Sequence, residues 1–234
     1  HLELRRNDEA YLDALGAQRI PDPTTAGDFC RRFSEVHVQN LMDALHEPRL
    51  KVWQQQPDSF FELAVIEGDG TMVETCGEKK QGIGMNHKRQ WGYHPLVMTL
   101  ANTREVLFLE NRAGNRPSHE NASGYFDRSV SLCRKAGFRK IRLRGDTDFS
   151  QTKHLDRWHS DDVDFVFGMD AMPNLVEIAE NLPDSAWNEL KRKPKSTSKT
   201  NKTRAKRPNF KERFVVEKKY KNKILEQEFV AEFA

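Results

Sequence analysis

Apolar positions in the first fifty residues recur mostly at steps of three and four. Leu4, Tyr11, Leu12 and Leu15 mark one helical face before Pro21 and Pro23 break the chain. Thr25, followed three residues later by Asp28, resembles a capping box. From Ala26, the positions Phe29, Cys30, Phe33, Val36, Leu41 and Leu45 predict an amphipathic helix that Pro48 closes. Beyond residue 60 the pattern changes to short apolar runs between glycines and polar turns. Phe61 to Ile66 ends at Gly68-Asp69-Gly70, and Trp91 to Leu100 and Val106 to Leu109 read as two further strands joined by a tight turn at Asn102-Thr103. Ser118 after Pro117 predicts a helix that buries Ala122, Tyr125, Phe126, Val130 and Cys133, with Gly137 as its C-terminal cap. Ile141 and Leu143 mark a fourth strand ending at Gly145-Asp146. Ser150 caps a helix through Leu155 and Trp158, Val163 to Phe167 is a fifth strand, and Pro173 opens another helix.

The predicted order is three strands, helix, strand, helix, strand, helix. Alternation in the second half requires crossover connections and parallel pairing, whereas three closely linked leading strands fit an antiparallel meander. The expectation is an α/β fold: an RNase H-like mixed sheet flanked by helices, although other α/β sheets share this order. Four segments follow: a helical N-terminal segment over 1–57, a core over 58–190, a basic linker over 191–210 and a strand-bearing segment over 211–234, which the resemblance given below implies is the start of a β-rich insertion into a core that is incomplete here. In the last of these, Phe214 to Val216 and Phe229 to Phe233 read as strands. The chain begins with His and stops inside the second of these strands, so a trimmed piece of a longer protein is expected.

Charge sharpens the picture. Nine of the 38 Lys and Arg residues lie between Lys191 and Arg207, a stretch with no acid, and the remaining 29 stand against 35 acids, about −6 net. A basic segment on an acidic body predicts a polyanionic partner, nucleic acid first, with a solvated linker as the plainer alternative. No apolar run approaches the roughly 20 residues that span a bilayer, and no signal-peptide pattern is present. Cys30, Cys76 and Cys133 are odd in number and widely spaced. They suit buried thiols in a reducing cytoplasm better than a disulfide framework or a zinc site.

Two acids stand out, each directly after a glycine at the end of an apolar strand: Asp69 in Gly68-Asp69-Gly70-Thr71 and Asp146 in Gly145-Asp146-Thr147-Asp148. If the first and fourth strands are parallel neighbours, both carboxylates emerge at one edge. Hard divalent cations take such oxygen ligands, and a two-metal site of this kind drives phosphodiester transfer. Asp after Gly is also ordinary turn chemistry. The stretch from Asn86 to His94 mixes bases, amides and aromatics, and Lys88 and Arg89 within it are candidate phosphate contacts. Arg112 and Arg116, ahead of the predicted helix, are two more. Trp91 and Tyr93 are candidates for base stacking or simply strand residues. Walker, GxGxxG, HExxH and Ser-His-Asp patterns are missing from the chain, so nucleotide-cofactor and nucleophilic readings have no local support.

At these same residues the chain resembles bacterial insertion-sequence transposases of the DDE type. Arg5-Arg6-Asn7-Asp8 through Leu15-Gly16, and Ile20-Pro21-Asp22-Pro23-Thr24-Thr25, are similar to their helical lead-in. Gly68-Asp69-Gly70-Thr71, Trp91-Gly92-Tyr93-His94-Pro95-Leu96, the run Asn111 to Ser118, Arg144-Gly145-Asp146-Thr147-Asp148-Phe149 and Phe165-Val166-Phe167-Gly168 are similar to their catalytic core, in family order. The resemblance implies an RNase H-like fold in which two Asp and one Glu hold two Mg²⁺ ions, with Mn²⁺ as a substitute. Asp69 matches the first Asp and Asp146 the second. The family's Glu, expected on a helix after the β-rich insertion, has no match here; Glu217, Glu226, Glu228 and Glu232 are poor substitutes, and the Glu is expected beyond Ala234.

The implied activity is hydrolysis and strand transfer at transposon ends, with this chain alone inactive for want of the third acid. The implied partners are double-stranded DNA, as transposon ends and target, and a second protomer; the implied place is the cytoplasm, on the bacterial nucleoid. Lys191, Arg192 and Lys193 open the basic segment expected to add DNA affinity. An RNase H-like nuclease that cuts without joining, and a non-catalytic DNA-binding fragment, remain as alternatives.

Overall fold

A computed structural model of the chain describes residues 2–75, 77, 80–192 and 211–234. The chain divides into two compact units, His1–Phe60 and Phe61–Ala234. The first unit is helical: α1 (Leu2–Arg6), α2 (Glu9–Leu15), α3 (Pro23–Cys30) and α4 (Glu35–Trp53). The single helix expected over Leu2 to Leu15 is two, because Asp8 is an N-cap whose carboxylate accepts the Tyr11 N–H at 3.1 Å. The start expected at Thr25 lies instead at Pro23, the first helical residue. There the Asp22 carboxylate accepts the Thr24 amide at 2.9 Å and the Thr24 hydroxyl at 2.6 Å. Nor is the following helix continuous from Ala26. Ser34 begins α4, its amide donating to His37 Nδ1 at 3.1 Å. Helix α4 also passes through Pro48 to Trp53 instead of stopping there. An interior proline costs a hydrogen bond and about 3 kcal/mol. Carrying the helix one turn further brings Trp53 into a buried position against Phe60, with ring centroids 6.1 Å apart.

The second unit contains, in order, β1 (Leu63–Gly70), β2 (Val73–Glu74), β3 (Gly84–Met85), β4 (Trp91–Tyr93), β5 (Leu96–Leu100), β6 (Glu105–Glu110), α5 (Ala122–Ala136), β7 (Lys140–Gly145), α6 (Leu155–Ser160), β8 (Val163–Phe167), α7 (Pro173–Glu180), β9 (Asn188–Arg192), β10 (Lys211–Tyr220) and β11 (Phe229–Phe233). Its main sheet has the order β6-β5-β1-β7-β8. The pairs β6–β5 and β5–β1 are antiparallel, while β1–β7 and β7–β8 are parallel. This is the RNase H-like mixed sheet the alternation of elements predicts, with α5 as the first crossover.

One face of that sheet is the core. Ala64, Ile66, Leu96, Met98, Leu100, Ile141, Leu143 and Val163 alternate inward and meet Tyr125, Phe126, Val130 and Cys133 of α5. Each large side chain buried this way contributes roughly 1.5–3 kcal/mol. Gly137, at φ 103°, ends α5 where expected. The helix starts later than predicted, at Ala122. Asn121, at φ 61°, turns the chain into it, while Ser118 is buried in the preceding loop.

Two strand expectations change. The run Trp91 to Leu100 is broken at His94-Pro95, and its first part, β4, belongs to a separate small sheet of order β2-β4-β3. The linker expected from residue 191 begins later, because β9 continues to Arg192 and pairs antiparallel with β10. With β11 these form a sheet of order β11-β10-β9. It is seated on the main fold by Asp156 of α6, whose carboxylate accepts the Glu226 and Gln227 amides at 2.8 and 3.1 Å. Phe229 also packs on Phe165 of β8, with centroids 5.2 Å apart.

Candidate active site

The parallel pairing of β1 and β7 keeps one offset throughout, from Leu63↔Lys140 to Glu67↔Arg144. Asp69 and Asp146 each lie two residues beyond the last of these pairs, at the carboxyl ends of two neighbouring strands. Buried residues of β1 and β7 occupy alternate positions, Ala64, Ile66 and Gly68 in one strand and Ile141 and Leu143 in the other. Both acids therefore fall on the opposite face, and both are exposed.

The glycines before them are fixed by packing. A β-carbon on Gly68 would lie 2.7 Å from Phe126 Cζ, and one on Gly145 would lie 2.8 Å from Phe149 Cβ. Phe149 is almost wholly buried and meets Phe126 edge-on at 6.1 Å, so neither ring has room to retreat. Asp146 also organises its own loop: Oδ1 accepts the Asp148 N–H at 3.1 Å, and the backbone carbonyl accepts the Phe149 N–H at 3.2 Å. The turn-former reading of Asp after Gly is thus satisfied at Asp146 by one carboxylate oxygen.

Just inside the two acids on the same face, Arg144 donates to Glu67 through Nε at 2.7 Å, with a second contact from its Nη2. Sequence patterns alone do not single out this pair. Its signal lies in the offset of 77, which brings Glu67 and Arg144 together two residues before the aspartates. The guanidinium balances a third carboxylate that would otherwise repel charge at the edge. Among the described residues, no group of three or more His, Cys, Asp or Glu gathers as a metal cluster. Two exposed carboxylates nonetheless suit Mg²⁺, which keeps several waters and takes one or two protein carboxylates beside substrate phosphate oxygens.

The other candidate residues separate. Lys88 and Arg89 lie at the tip of the β3–β4 hairpin and are exposed. Asn86 shapes that tip, its side-chain oxygen accepting the Lys88 and Gln90 amides at 2.9 Å each, with Arg89 at φ 61°. Trp91, which pairs with Met85 next to the tip, is 49% exposed. Arg116 is exposed, pairs with Glu120 at 3.1 Å and lines a cleft of about 440 Å³ with Tyr93, Glu110 and Asn121.

Arg112 departs from expectation. It is only 7% exposed. Its guanidinium donates to the carbonyls of His94, Pro117, Ser118 and Glu120 at 2.7–3.2 Å. Burial lowers its pKa from the ordinary arginine value, opposed by the charges of Glu110 and Glu120. Its donors hold the loop ahead of α5 together, and a phosphate contact is withdrawn for this residue. Lys191 and Arg192 lie on β9 beside Glu212 and Lys211 of β10. Lys193 lies outside the described residues.

The model of the family described as transposase DDE domain group 1 matches residues 4–232 of the chain. A cryo-EM structure of the piggyBac transposase synaptic complex with hairpin DNA is 14% identical over 56% of this chain and 31% of that chain, with a TM-score of 0.32. Likeness at that level carries no weight for the fold, which rests on the strand order itself. No curated protein matches the chain.

Proposed function

The chain belongs to the transposase DDE domain group 1 family, and from that premise we propose that Asp69 and Asp146 are the two aspartates of its metal site. The observation that supports this reading is the parallel β1–β7 register, whose last pair, Glu67↔Arg144, stands two residues before each acid. Mg²⁺, or Mn²⁺ in its place, would be held by these two carboxylates. When bound it supplies activation of the attacking oxygen and stabilisation of the leaving oxygen in phosphodiester hydrolysis and strand transfer. Asp146 contributes a carboxylate already oriented by the Asp148 amide, and Arg144 keeps Glu67 neutralised behind the pair.

Lys88 and Arg89 on the hairpin tip and Arg116 beside the cleft engage the phosphate backbone of double-stranded DNA, the transposon ends and the target. Lys191, Arg192 and Lys193 begin a basic segment that adds affinity independent of sequence. The complete protein works as a homodimer on the DNA of a bacterial cell. We hold this chain alone to be inactive in strand cleavage, because the third acid of the family's site has no match in its sequence.

The test is Mn²⁺ binding to this chain, followed by calorimetry and by the paramagnetic signal of the free ion. Asp69→Asn and Asp146→Asn should each weaken binding at least tenfold with little change in thermal stability, because Asp69 is exposed and an asparagine oxygen at 146 still accepts the Asp148 N–H. Binding that survives both substitutions would remove the site.

A further inference from the structure

Helix α4 carries two apolar faces, and its fold uses one of them. At 100° per residue, His46 and Trp53, both buried, share a side with the half-buried Gln39, Met42, Arg49 and Leu50. About 110° around the helix runs a second stripe: Val38, Leu41, Leu45, Pro48 and Val52. The exposures there are 46% for Val38, 60% for Leu41, 54% for Leu45 and 55% for Val52. At its N-terminal end the stripe meets an exposed aromatic ladder, in which Phe33 stacks edge-on with Phe29 at 5.0 Å and with His37 at 6.2 Å.

The stripe has the spacing of a helix-pairing seam. Val38, Leu45 and Val52 repeat every seven residues, with Leu41 and Pro48 between them. With Phe29 and Phe33 the exposed apolar surface is on the order of 600 Å² per copy, near the roughly 800 Å² per partner of a standard stable interface. No lysine or arginine lies within the stripe, so it is unsuited to DNA phosphate.

Flanking charges select the orientation. One flank carries Glu35, Met42 and Arg49, the other His37, Ala44 and Lys51. Paired antiparallel with its own copy, Leu41 meets Leu45 of the second copy, Val38 meets Pro48, Met42 lies beside Met42, and Glu35 lies beside Arg49, whose guanidinium also contacts His46 Nδ1 of its own helix at 2.5 Å, while His37 lies beside Lys51 on the other flank. Parallel pairing brings no opposite charges together and aligns the helix dipoles.

We propose that Val38, Leu41, Leu45, Pro48 and Val52 form a self-association surface through which α4 pairs antiparallel with α4 of a second copy of this chain. It gives a surface to the homodimer proposed above. It is measured without DNA or metal, so it stands or falls apart from the Asp69 and Asp146 reading.

The experiment is sedimentation equilibrium of the full chain over about 1–100 μM, where the expected mass is twice 27.2 kDa. Leu41→Glu combined with Leu45→Glu should weaken association at least tenfold with far-ultraviolet helicity unchanged. Glu35→Arg and Arg49→Glu should each weaken it severalfold and restore it when combined. Should the charged variants unfold, cross-linking in a Cys30→Ser background decides between the outcomes. There Met42→Cys should oxidise to a covalent dimer, and Val36→Cys, on the far side of the helix, should not. A monomer at every concentration, a dimer indifferent to the leucine substitutions, or equal cross-linking at both cysteines would overturn the proposal.

Discussion

Gly145 separates a buried aromatic cluster from a candidate metal ligand by a single residue. Alanine there would press on Phe149, and overpacking of this kind costs about 1–3 kcal/mol. Gly145→Ala is therefore expected to lower the urea midpoint and to weaken Mn²⁺ binding together, through displacement of Asp146. Arg112 gives the opposite pattern. Arg112→Met leaves four carbonyls without their donor, a loss on the order of 3 kcal/mol or more. DNA binding by the protein that remains folded should be unchanged. An Arg112→Met chain of full stability and reduced DNA affinity would return this residue to the interface. His154 adds a pH dependence. Its pKa is lowered from the ordinary 6.5, first by burial and then by the charges of Lys153 and Arg157. Because the folded form resists the proton, the stability linked to His154 is present above about pH 6.5 and is lost as pH falls below it. His154→Gln should flatten that acid-side loss in thermal melts between about pH 7 and pH 5. The strand-end positions of Asp69 and Asp146 are legible in the sequence because a glycine precedes each. Arg112 is not, because an arginine in a loop reads as surface until the carbonyls around it are known.

Elements whose patterns are set by burial are the most legible. The inward face of α5, the apolar cores of β1, β5, β7 and β8, and the Gly137 cap all follow from periodicity and from the one residue that tolerates φ near 103°. Three departures have a common origin in local polar groups that periodicity does not register. Asp8 divides α1 from α2, Asp22 starts α3 at Pro23, and Ser34 restarts the chain as α4. Strand β9 escapes a hydrophobic pattern because Asn188 to Arg192 is polar, and its pairing depends on β10 across the intervening segment. The turn at Asn102 lies where its residues predict, and its structure shows how firmly it is held. The side chain accepts the Val65 N–H at 2.9 Å and donates to the Leu63 carbonyl at 2.8 Å, tying the β5–β6 turn to β1. Asn102→Ala is expected to cost about 1–3 kcal/mol in urea unfolding, and an unchanged midpoint would show the tie to be dispensable.

For the molecule as a whole, the charges divide between an acidic body and a basic segment. If the nine bases from Lys191 to Arg207 bind phosphate, replacing them with Gln should flatten the slope of log affinity against log salt by several units. An unaltered slope would leave DNA contact to the hairpin tip and Arg116. The strand order has a further consequence, in time as well as in space. Strand β1 finds β5 by a short return of the chain but finds β7 only across an offset of 77 residues, after α5 is in place. Pairings between such distant segments close slowly, because chain entropy is lost before any contact is gained. Asp69 and Asp146 can be brought together only once β7 has docked on β1. During refolding, Mn²⁺ capture should lag behind the return of helical signal and follow the slowest phase, so that the metal reports the closing of the sheet.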